Sequence, residues 1–324
     1  MSATLIEMRV TARVPLAQDI CLFELQPLNG VPLPPFAAGA HVEVHVGRGE
    51  TRFVRPYSLC NAPGETHRWQ IAVLREDASR GGSAAMHAWV NAGSTLVVSA
   101  PRNNFTLVDG ARSSLLLAGG IGITPLLSMA EQLHRDGAEF TLHHCTRSLA
   151  RTPFRDALAD KPWAARVQHH LSDRGPSQRL DLAAVLATPE PGTHLYACGP
   201  QRFMDALLAT ARAQDWPEEQ LHWESFGAAV LPQAGDRAFE LVLARSARTI
   251  VVAADLTAAQ AIAAEGIFLP TSCEQGVCGT CLTPVLEGEP DHRDQYLTPE
   301  EQAANDQFTP CCSRARSERL VIDL

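Results

Sequence analysis

Residues 273–281 read CEQGVCGTC, which places Cys273, Cys278 and Cys281 at spacings of four and two intervening residues. A fourth cysteine, Cys311, follows after 29 intervening residues. Three clustered cysteines and one distant cysteine form the ligand spacing of plant-type [2Fe–2S] clusters. Glycines within the stretch let the chain wrap closely and turn backbone N–H groups toward the sulfurs. The stretch therefore predicts a compact iron–sulfur domain near the C-terminal end.

Two alternatives to this ligand set stay open. Structural zinc sites favour two short Cys-x-x-Cys pairs over three clustered cysteines and a distant one, so zinc is the weaker candidate. Cys312 competes with Cys311 for the fourth position. The segment Cys311-Cys312-Ser313-Arg314-Ala315 resembles the Cys-x-Ser-Arg-Ala ending of ferredoxin modules, which favours Cys311. Cys312 then serves as a small buried apolar residue.

The composition of the 324-residue chain is that of a globular protein, with 45% hydrophobic and 19% charged residues. The net charge of −9 is uneven, because 14 acidic residues and 7 arginines lie from Asp236 onward. An acidic balance argues against a nucleic acid partner. The longest apolar stretch, 115–129, is interrupted by glycines and Pro125, so no membrane span is expected.

Nine cysteines in one chain, five of them close together, indicate metal chemistry in a reducing compartment rather than structural disulfides. The first residues show no secretory signal pattern. We therefore expect a cytoplasmic protein. We also expect it to be a monomer.

The pattern of apolar residues divides the chain into three domains. Residues 1–105 contain short alternating segments separated by proline and glycine, which indicates an antiparallel β-barrel. Residues 106–228 alternate buried strands with helices, which indicates an α/β domain with a parallel sheet. Residues 229–238 read as a linker, and residues 239–324 contain the cysteine stretch. Strands are expected over 41–46, 69–74, 114–118, 140–144, 194–197, 239–244, 249–253 and 283–286, and helices over 125–134, 202–213, 257–265 and from Thr298 onward.

A glycine-rich segment, residues 119–125 with the sequence GGIGITP, lies between a predicted strand and a predicted helix. Glycines there let the backbone approach a pyrophosphate, and the helix supplies free N–H groups. Any tight strand-to-helix turn can also use glycine, and the strict Gly-x-Gly-x-x-Gly pattern is not present. Cys198-Gly199-Pro200 closes a later strand of the same sheet and supports a nucleotide crevice at this edge.

A third motif, Arg55-Pro56-Tyr57-Ser58, lies at the end of a predicted barrel strand, and Gly81-Gly82-Ser83 follow about 25 residues later. An arginine and glycine-rich backbone can hold a phosphate, while a tyrosine face and a serine hydroxyl can contact a flavin ring. Taken alone, a tyrosine such as Tyr57 is more often explained by ordinary barrel packing. The combination favours a flavin site.

In this order, the Arg-Pro-Tyr-Ser, Gly-Gly-Ile-Gly-Ile-Thr-Pro and Cys-Gly-Pro segments, Glu224-Ser225-Phe226 and the C-terminal plant-type ferredoxin resemble one family across the whole chain. This is the phthalate dioxygenase reductase and vanillate demethylase reductase family, ferredoxin-NADP-reductase-like proteins that serve Rieske oxygenases. The resemblance implies an FMN-binding barrel over 1–105, with FMN rather than FAD. It also implies an NAD-binding domain over 106–228 and a β-grasp [2Fe–2S] domain over 239–324.

The resemblance further implies roles for the residues of each motif. FMN would contact Arg55, Pro56, Tyr57, Ser58, Gly81, Gly82 and Ser83, with Ser58 near the flavin N5. The nicotinamide nucleotide would lie along Gly120, Gly122, Thr124, Cys198, Gly199 and Pro200, with Arg147 and Ser148 at the adenosine half. Ser58, Thr124, Cys198 and Phe226 would adjoin the reacting rings, with Phe226 stacked on the flavin. The cluster ligands would be Cys273, Cys278, Cys281 and Cys311.

The expected function is that of an NADH-dependent reductase component of a Rieske-type oxygenase system. Nicotinamide gives two electrons as a hydride and the cluster takes one, so a flavin between them is required. A cytochrome P450 as the acceptor, or a redox sensor, is the alternative. NADPH stays open as the donor, because a basic residue such as Arg147 at a strand end could contact a 2′-phosphate.

Overall fold

A computed structural model of the chain describes residues 5–49, 51–77, 81–226, 233, 235–271, 276, 279–294 and 296–324. The chain forms two compact units, Met1–Phe226 and Gly227–Leu324. The first unit contains two separate sheets, and the second contains a third sheet with a short additional strand pair.

The first sheet is an antiparallel barrel of six strands in the order β4-β3-β6-β1-β2-β5. A bridge between Leu59, directly after β4, and Ile71 in β5 brings the two edges together. Valines at alternate positions of β3 point into the core, which surrounds the fully buried Trp69. Helix α1 contributes Met86 to this core. The elements are β1 (Leu5–Ala17), β2 (Ile20–Pro27), β3 (His41–Arg48), β4 (Thr51–Ser58), β5 (Trp69–Leu74), α1 (Gly82–Trp89) and β6 (Thr95–Ser99).

The second sheet has five parallel strands in the order β11-β10-β7-β8-β9. Leu116 and Ala118 of β7 pack with α2 on one face, and Leu117 packs with α5 on the other. A strand covered on both faces must be apolar at successive positions, which explains the unbroken hydrophobic run in β7. The elements are β7 (Ser113–Gly119), α2 (Ile123–Arg135), β8 (Glu139–Thr146), α3 (Arg155–Ala159), β9 (Val167–Leu171), α4 (Leu182–Val185), β10 (Thr193–Gly199), α5 (Gln201–Ala213) and β11 (Leu221–Ser225).

The barrel and the parallel sheet share part of one core. Ala38, Cys60 and Phe105 from the barrel segments pack in the same cluster as the residues of α2. The backbone N–H of Gly39 also donates to the hydroxyl of Ser128 in α2 at 3.1 Å. Both sheets therefore form one continuous unit around α2.

The sheet of the second unit has the order β13-β12-β18-β14-β16, with β12 parallel to the C-terminal strand β18. Helix α6 packs Ile262 onto this sheet next to Phe239. The elements are β12 (Phe239–Leu243), β13 (Arg248–Val252), α6 (Ala258–Ala264), β14 (Thr283–Glu287), β15 (Pro290–Asp291), α7 (Pro299–Ala304), β16 (Gln307–Phe308), β17 (Arg314–Ala315) and β18 (Arg319–Ile322). Strands β15 and β17 form the separate pair.

The strands and helices predicted from the sequence are confirmed to within a few residues. The capping box predicted at Thr298 is present, because its side chain accepts from the N–H of Glu301 and the Glu301 carboxylate accepts from the N–H of Thr298. Helix α1 was not predicted, because Gly82 was interpreted only as part of a glycine-rich segment that can hold a phosphate. No helix within the described ranges has both the length and the hydropathy to cross a membrane.

Candidate functional site

The first candidate site lies where β4 meets the amino end of α1. Register pairs Arg55 with Val44 and Tyr57 with Val42, and both valines lie in the barrel core. Arg55 and Tyr57 therefore share the inner face of β4. Ser58 is buried and lies on the opposite face of the strand. The structure thus brings Arg55 and Tyr57 onto one face and separates Ser58 from them.

Two glycines at the start of α1 are required by close contacts with β4. Gly81 has φ +93°, and a Cβ there would lie 2.3 Å from Cζ of Phe53. A Cβ on Gly82 would lie 2.5 Å from Cγ of Arg55. The stem of Arg55 therefore runs along the amino end of an eight-residue helix. A guanidinium and a helix N-terminus together favour an anion such as a phosphate.

Tyr57 and Ser83 complete this site. Tyr57 packs against the barrel core, and within the described part of the chain its hydroxyl is buried without a hydrogen-bond partner. Burial raises the pKa of Tyr57, so the phenol stays protonated and can donate. An unpaired buried hydroxyl costs free energy that a polar atom of a bound molecule would offset. The Ser83 hydroxyl accepts from the N–H of Glu76 at 3.3 Å, and Pro56 pairs in register with Glu43.

The second candidate site lies at the carboxyl ends of β7 and β10 in the middle of the parallel sheet. Strands β8 and β9 follow on the far side of β7, whereas β11 lies on the far side of β10. The connections therefore leave in opposite directions from this pair, which makes it the topological switch point where such sheets bind ligands. The amino ends of α2 and α5 follow these two strands, and β5 of the barrel approaches the 120–122 turn.

Glycines at this switch point have two different roles. A Cβ on Gly122 would lie 2.2 Å from the carbonyl oxygen of Cys198, and one on Gly199 would lie 2.9 Å from Cα of Gly119. These three glycines are required because the two strand ends touch. Gly120 differs, since it has φ +56° and no described heavy atom lies within 4 Å of its Cβ position. The turn therefore offers an open backbone face at Gly120 alone.

The side chains predicted around the nicotinamide are mostly buried. Thr124 donates its hydroxyl to the carbonyl of Ile121 at 3.1 Å. Cys198 is fully buried, and this burial raises the pKa of its thiol well above the ordinary value. Pro200 is the residue before α5 and borders Gly119, because a Cβ on that glycine would lie 2.8 Å from its Cδ.

His144 is a site residue that the sequence interpretation missed. Its Nε2 lies 3.0 Å from the carbonyl oxygen of Gly120, and it is fully buried. Burial lowers its pKa to about 3, so the ring is neutral and Nε2–H donates to that carbonyl. The neighbouring His143 has Nδ1 at 3.0 Å from Nε2 of His170, on the other face of the sheet. The available signal for His144 was its position as the last residue of the predicted strand 140–144, two residues before the end of β8.

Arg147 and Ser148 follow β8 at the same edge of the sheet. The side chain of Arg147 is exposed, and its carbonyl accepts from the N–H of Asp173 at 2.9 Å. The carbonyl of Ser148 accepts from the hydroxyl of Thr152 at 2.9 Å. Phe226, the last residue of the first unit, packs half-buried against the core around α2.

The cysteine segment forms the third candidate site. Cys281, Cys311 and Cys312 are buried together, with Ala259 and Leu269 packed against them. Cys273 and Cys278 lie outside the described residues. Gly276 and Gly279 have φ of +77° and +69°, so both adopt the left-handed conformation that suits a tightly wrapped loop. Buried cysteine sulfurs beside such glycines fit an iron–sulfur cluster.

Known proteins match this chain over its full length. Residues 241–316 match the 2Fe-2S iron-sulfur cluster binding domain family. The vanillate O-demethylase oxidoreductase of Pseudomonas putida is 49% identical over 321 residues, which cover 99% of this chain and 100% of the relative. The chain belongs to the vanillate demethylase and phthalate dioxygenase reductase family. This confirms the resemblance found in the sequence.

Two solved structures support the fold of this family. Phthalate dioxygenase reductase, described as a modular structure for electron transfer from pyridine nucleotides to [2Fe–2S], is 39% identical with a TM-score of 0.76 and covers 99% of this chain and 98% of that one. An intact type IV self-sufficient cytochrome P450 monooxygenase is 40% identical with a TM-score of 0.81, over 99% of this chain and 41% of that one. The predicted combination of flavin barrel, nucleotide-binding sheet and ferredoxin domain is therefore confirmed.

Family membership makes the chain an oxidoreductase that works as an electron-transfer component of an oxygenase system, as the sequence predicted. The roles of individual residues and the exact domain boundaries stay predictions.

Sequence analysis also missed Asp294, a buried carboxylate that contacts the turn of Cys311 through Thr309 and Ser313. No spacing motif marks it, because these partners come together only in the folded unit.

Proposed function

We propose that this chain is the NADH-dependent reductase that passes electrons through FMN and a [2Fe–2S] cluster to a Rieske-type terminal oxygenase. The observation that carries the proposal is the similarity to phthalate dioxygenase reductase along nearly the whole of both chains. We further propose a monomer in the cytoplasm, where buried free thiols such as Cys60 and Cys198 stay reduced.

FMN fits the site between β4 and α1. Arg55 would bind its phosphate at the amino end of α1, where Gly81 and Gly82 keep the backbone close. The buried hydroxyl of Tyr57 supports a bound polar group, while the face of its ring lies on the barrel core side. Ser58, at the end of the same strand, would donate toward the flavin N5. Its position on the other face of β4 means that the flavin would have to reach around the strand end.

NADH fits the switch point between β7 and β10. The open face of Gly120 would admit the pyrophosphate, and its carbonyl is held by His144. Thr124 and Cys198 would border the nicotinamide, while Gly122, Gly199 and Pro200 hold the two strand ends together. Arg147 and Ser148 would lie beside the adenosine half, at the end of the adjacent strand. Phe226 would cover the flavin until nicotinamide takes its place.

When bound, FMN would supply the step between a two-electron donor and a one-electron acceptor. NADH gives its electrons only as a pair and the cluster takes one at a time, so the flavin is needed between them. The chain itself provides orientation, because hydride transfer requires the reacting atoms at roughly 3 to 3.5 Å. It also excludes water through the buried residues of the switch point. No general acid or base is required.

The terminal oxygenase would dock by charge complementarity. The segment from Asp236 onward holds 14 acidic residues against 7 arginines, so a basic patch on the partner would raise the encounter rate. Electron transfer to the partner should then slow as ionic strength rises. Transfer that is insensitive to salt would reject this steering.

The test combines purified chain, NADH and a purified Rieske oxygenase with its substrate. Absorption spectra with acid-released flavin first identify FMN and the cluster. Substrate conversion that requires this chain, with NADH preferred over NADPH, supports the proposal. Turnover of cytochrome c by NADH with no support of any Rieske oxygenase would contradict it.

A cytochrome P450 as the acceptor is the second candidate. The observation that favours it is that one relative of known structure carries a similar reductase segment within a self-sufficient P450. The same assay with a purified P450 in place of the Rieske oxygenase separates the two acceptors, because a specific partner should give a far higher rate than the other.

A further inference from the structure

A buried carboxylate lies behind the turn that carries Cys311. The side chain of Asp294 has 0% exposure. Its Oδ1 accepts from the hydroxyls of Thr309 at 3.2 Å and Ser313 at 3.3 Å. Its Oδ2 accepts from the N–H of Leu297 at 2.8 Å. Three donors thus converge on one carboxylate, and two of them come from the cysteine turn.

The hydroxyls that contact Asp294 are themselves held in chains of hydrogen bonds. The N–H of Arg293 donates to the Ser313 hydroxyl at 3.0 Å. The sulfur of Cys312 lies 3.2 Å from the Thr309 hydroxyl, and the two hydroxyls lie 2.7 Å apart. Because the Thr309 hydroxyl donates to Asp294, it is free to accept from the Cys312 thiol. The Cys312 thiol can therefore donate to this hydroxyl.

Asp294 also contacts Gly276, one of the glycines of the cysteine stretch. A Cβ on Gly276 would lie 2.8 Å from Cα and Cβ of Asp294 and 2.4 Å from the sulfur of Cys312. Gly276 lies between Cys273 and Cys278 in the sequence. Asp294 is thus packed against Gly276 as well as against the turn of Cys311.

No arginine or lysine of the described chain forms an ion pair with Asp294. The nearest basic group is Nδ1 of His292, at 3.6 Å from Oδ1. The adjacent Arg293 guanidinium is bound instead by Asp236 at 2.5 Å and Asp291 at 2.7 Å. The polar groups around the Asp294 carboxylate are therefore mainly neutral dipoles. A negative charge placed there would act strongly on nearby groups, because a low-dielectric interior screens charges little.

We propose that Asp294 is a positioning residue of the cluster site, which joins the two ligand-bearing segments and lowers the reduction potential of the [2Fe–2S] cluster. The physical basis is that net charge and hydrogen bonding around a cluster set its potential. A low potential at rest makes the reduced cluster a stronger donor to the oxygenase. This proposal rests on the proposed function, because it assumes that the [2Fe–2S] cluster is bound by these cysteines.

The test compares Asp294→Asn with Asp255→Asn in the full-length holoprotein. Asp255 is an exposed acid of the same unit, so its substitution removes the same charge from the surface. Iron and sulfide contents are measured first, and the potential is then obtained by titration with dithionite followed by electron paramagnetic resonance. We expect Asp294→Asn to shift the balance of reduced to oxidised cluster at least tenfold toward reduced, which is about 59 mV for one electron. The Asp255→Asn protein should stay close to wild type, and an equal potential in all three proteins overturns the proposal.

If Asp294→Asn loses the cluster, its potential cannot be measured, and the hydroxyls that donate to Asp294 are substituted instead. Ser313→Ala and Thr309→Val each remove one hydrogen bond to Asp294, and both should release iron to a chelator several-fold faster than wild type. Release at the wild-type rate overturns the positioning role, and loss of the cluster in Cys312→Ala contradicts the donor role of that thiol. Dithionite reduces the cluster directly, so these results stay readable even where NADH-driven electron transfer fails and the proposed function is refuted.

Discussion

Gly120 is the position where the proposed nucleotide site can be tested apart from packing. Replacing it with alanine places a methyl group where no described heavy atom lies within 4 Å. The only internal cost is the left-handed backbone at φ +56°. Gly137, just after α2, provides a matched control, since it has φ +68° and an equally open Cβ position. Both substitutions therefore introduce the same strain, and only one introduces it at the switch point.

The expected magnitudes follow from this pairing. An alanine in the left-handed region costs about 1–2 kcal/mol, so both variants should be destabilised alike. For a unit of this size that corresponds to a fall in melting temperature of about 2–8 °C. A methyl group at Gly120 would also displace the pyrophosphate and remove a hydrogen bond to a charged group, worth about 1.5–3 kcal/mol. The value of kcat/KM for NADH should then fall about 10- to 100-fold in Gly120→Ala only.

The assay measures NADH-driven reduction of ferricyanide or cytochrome c by both variants, after flavin and iron contents are matched. Because the methyl group acts on the nucleotide, the loss should appear in KM more than in kcat. Direct reduction by dithionite should be unchanged in both proteins. Equal values of kcat/KM for Gly120→Ala and Gly137→Ala, at equal stability, would refute the assignment of the open face to the pyrophosphate.

Three further outcomes test the packing and the electrostatics. Gly122→Ala places Cβ 2.2 Å from the backbone carbonyl of Cys198, so it should cost about 1–3 kcal/mol, and an unchanged melting temperature would contradict the close contact. Arg55→Ala should weaken FMN binding about 10- to 100-fold by loss of a charged hydrogen bond, measured as flavin retained on gel filtration, whereas the exposed neighbour Arg52→Ala should retain it. The pKa of His144 falls from 6.5 to about 3 on burial, so the unfolded chain binds this proton first and stability declines as pH falls below 6.5. Tryptophan fluorescence during urea unfolding should show about 2 kcal/mol lost through this group by pH 5, and His144→Gln should lose that much less over the same range.

The sequence predicted the elements of the parallel sheet because apolar residues there occur in unbroken runs between glycine and proline signals. The strand ending at Gly119 and the helix ending at Arg135 were found to within a residue or two. The [2Fe–2S] domain was also predictable, because the cysteine spacing is dictated by the geometry of one cofactor, whereas the individual ligands stay predictions. Sequence reasoning succeeds here where the constraint is local along the chain.

The same reasoning failed where the constraint comes from a distant contact. Helix α1 was not predicted, because the glycines at its start are also typical of a loop. The structure shows that Gly82 must be glycine because a Cβ there would clash with the side chain of Arg55. The contact of His144 with the Gly120 carbonyl joins neighbouring strands, and no periodicity reports it. The face of β4 on which Ser58 lies could not be predicted either, because it depends on the pairing register of β4 with β3.

Many of the charges in the second unit are paired with each other, so its net charge does not describe its surface. Five of its arginines pair with acids of the same unit, namely Arg245, Arg248, Arg293, Arg314 and Arg316. The buried pair of Arg293 with Asp236 holds the chain entering the unit, so those charges contribute stability and little outward field. The field at the surface must come from acids such as Glu300 and Glu301, which are exposed in the first turn of α7. Steering of a partner therefore depends on where the charges outside these pairs lie rather than on the net charge, and the salt dependence of electron transfer reports on those surface charges.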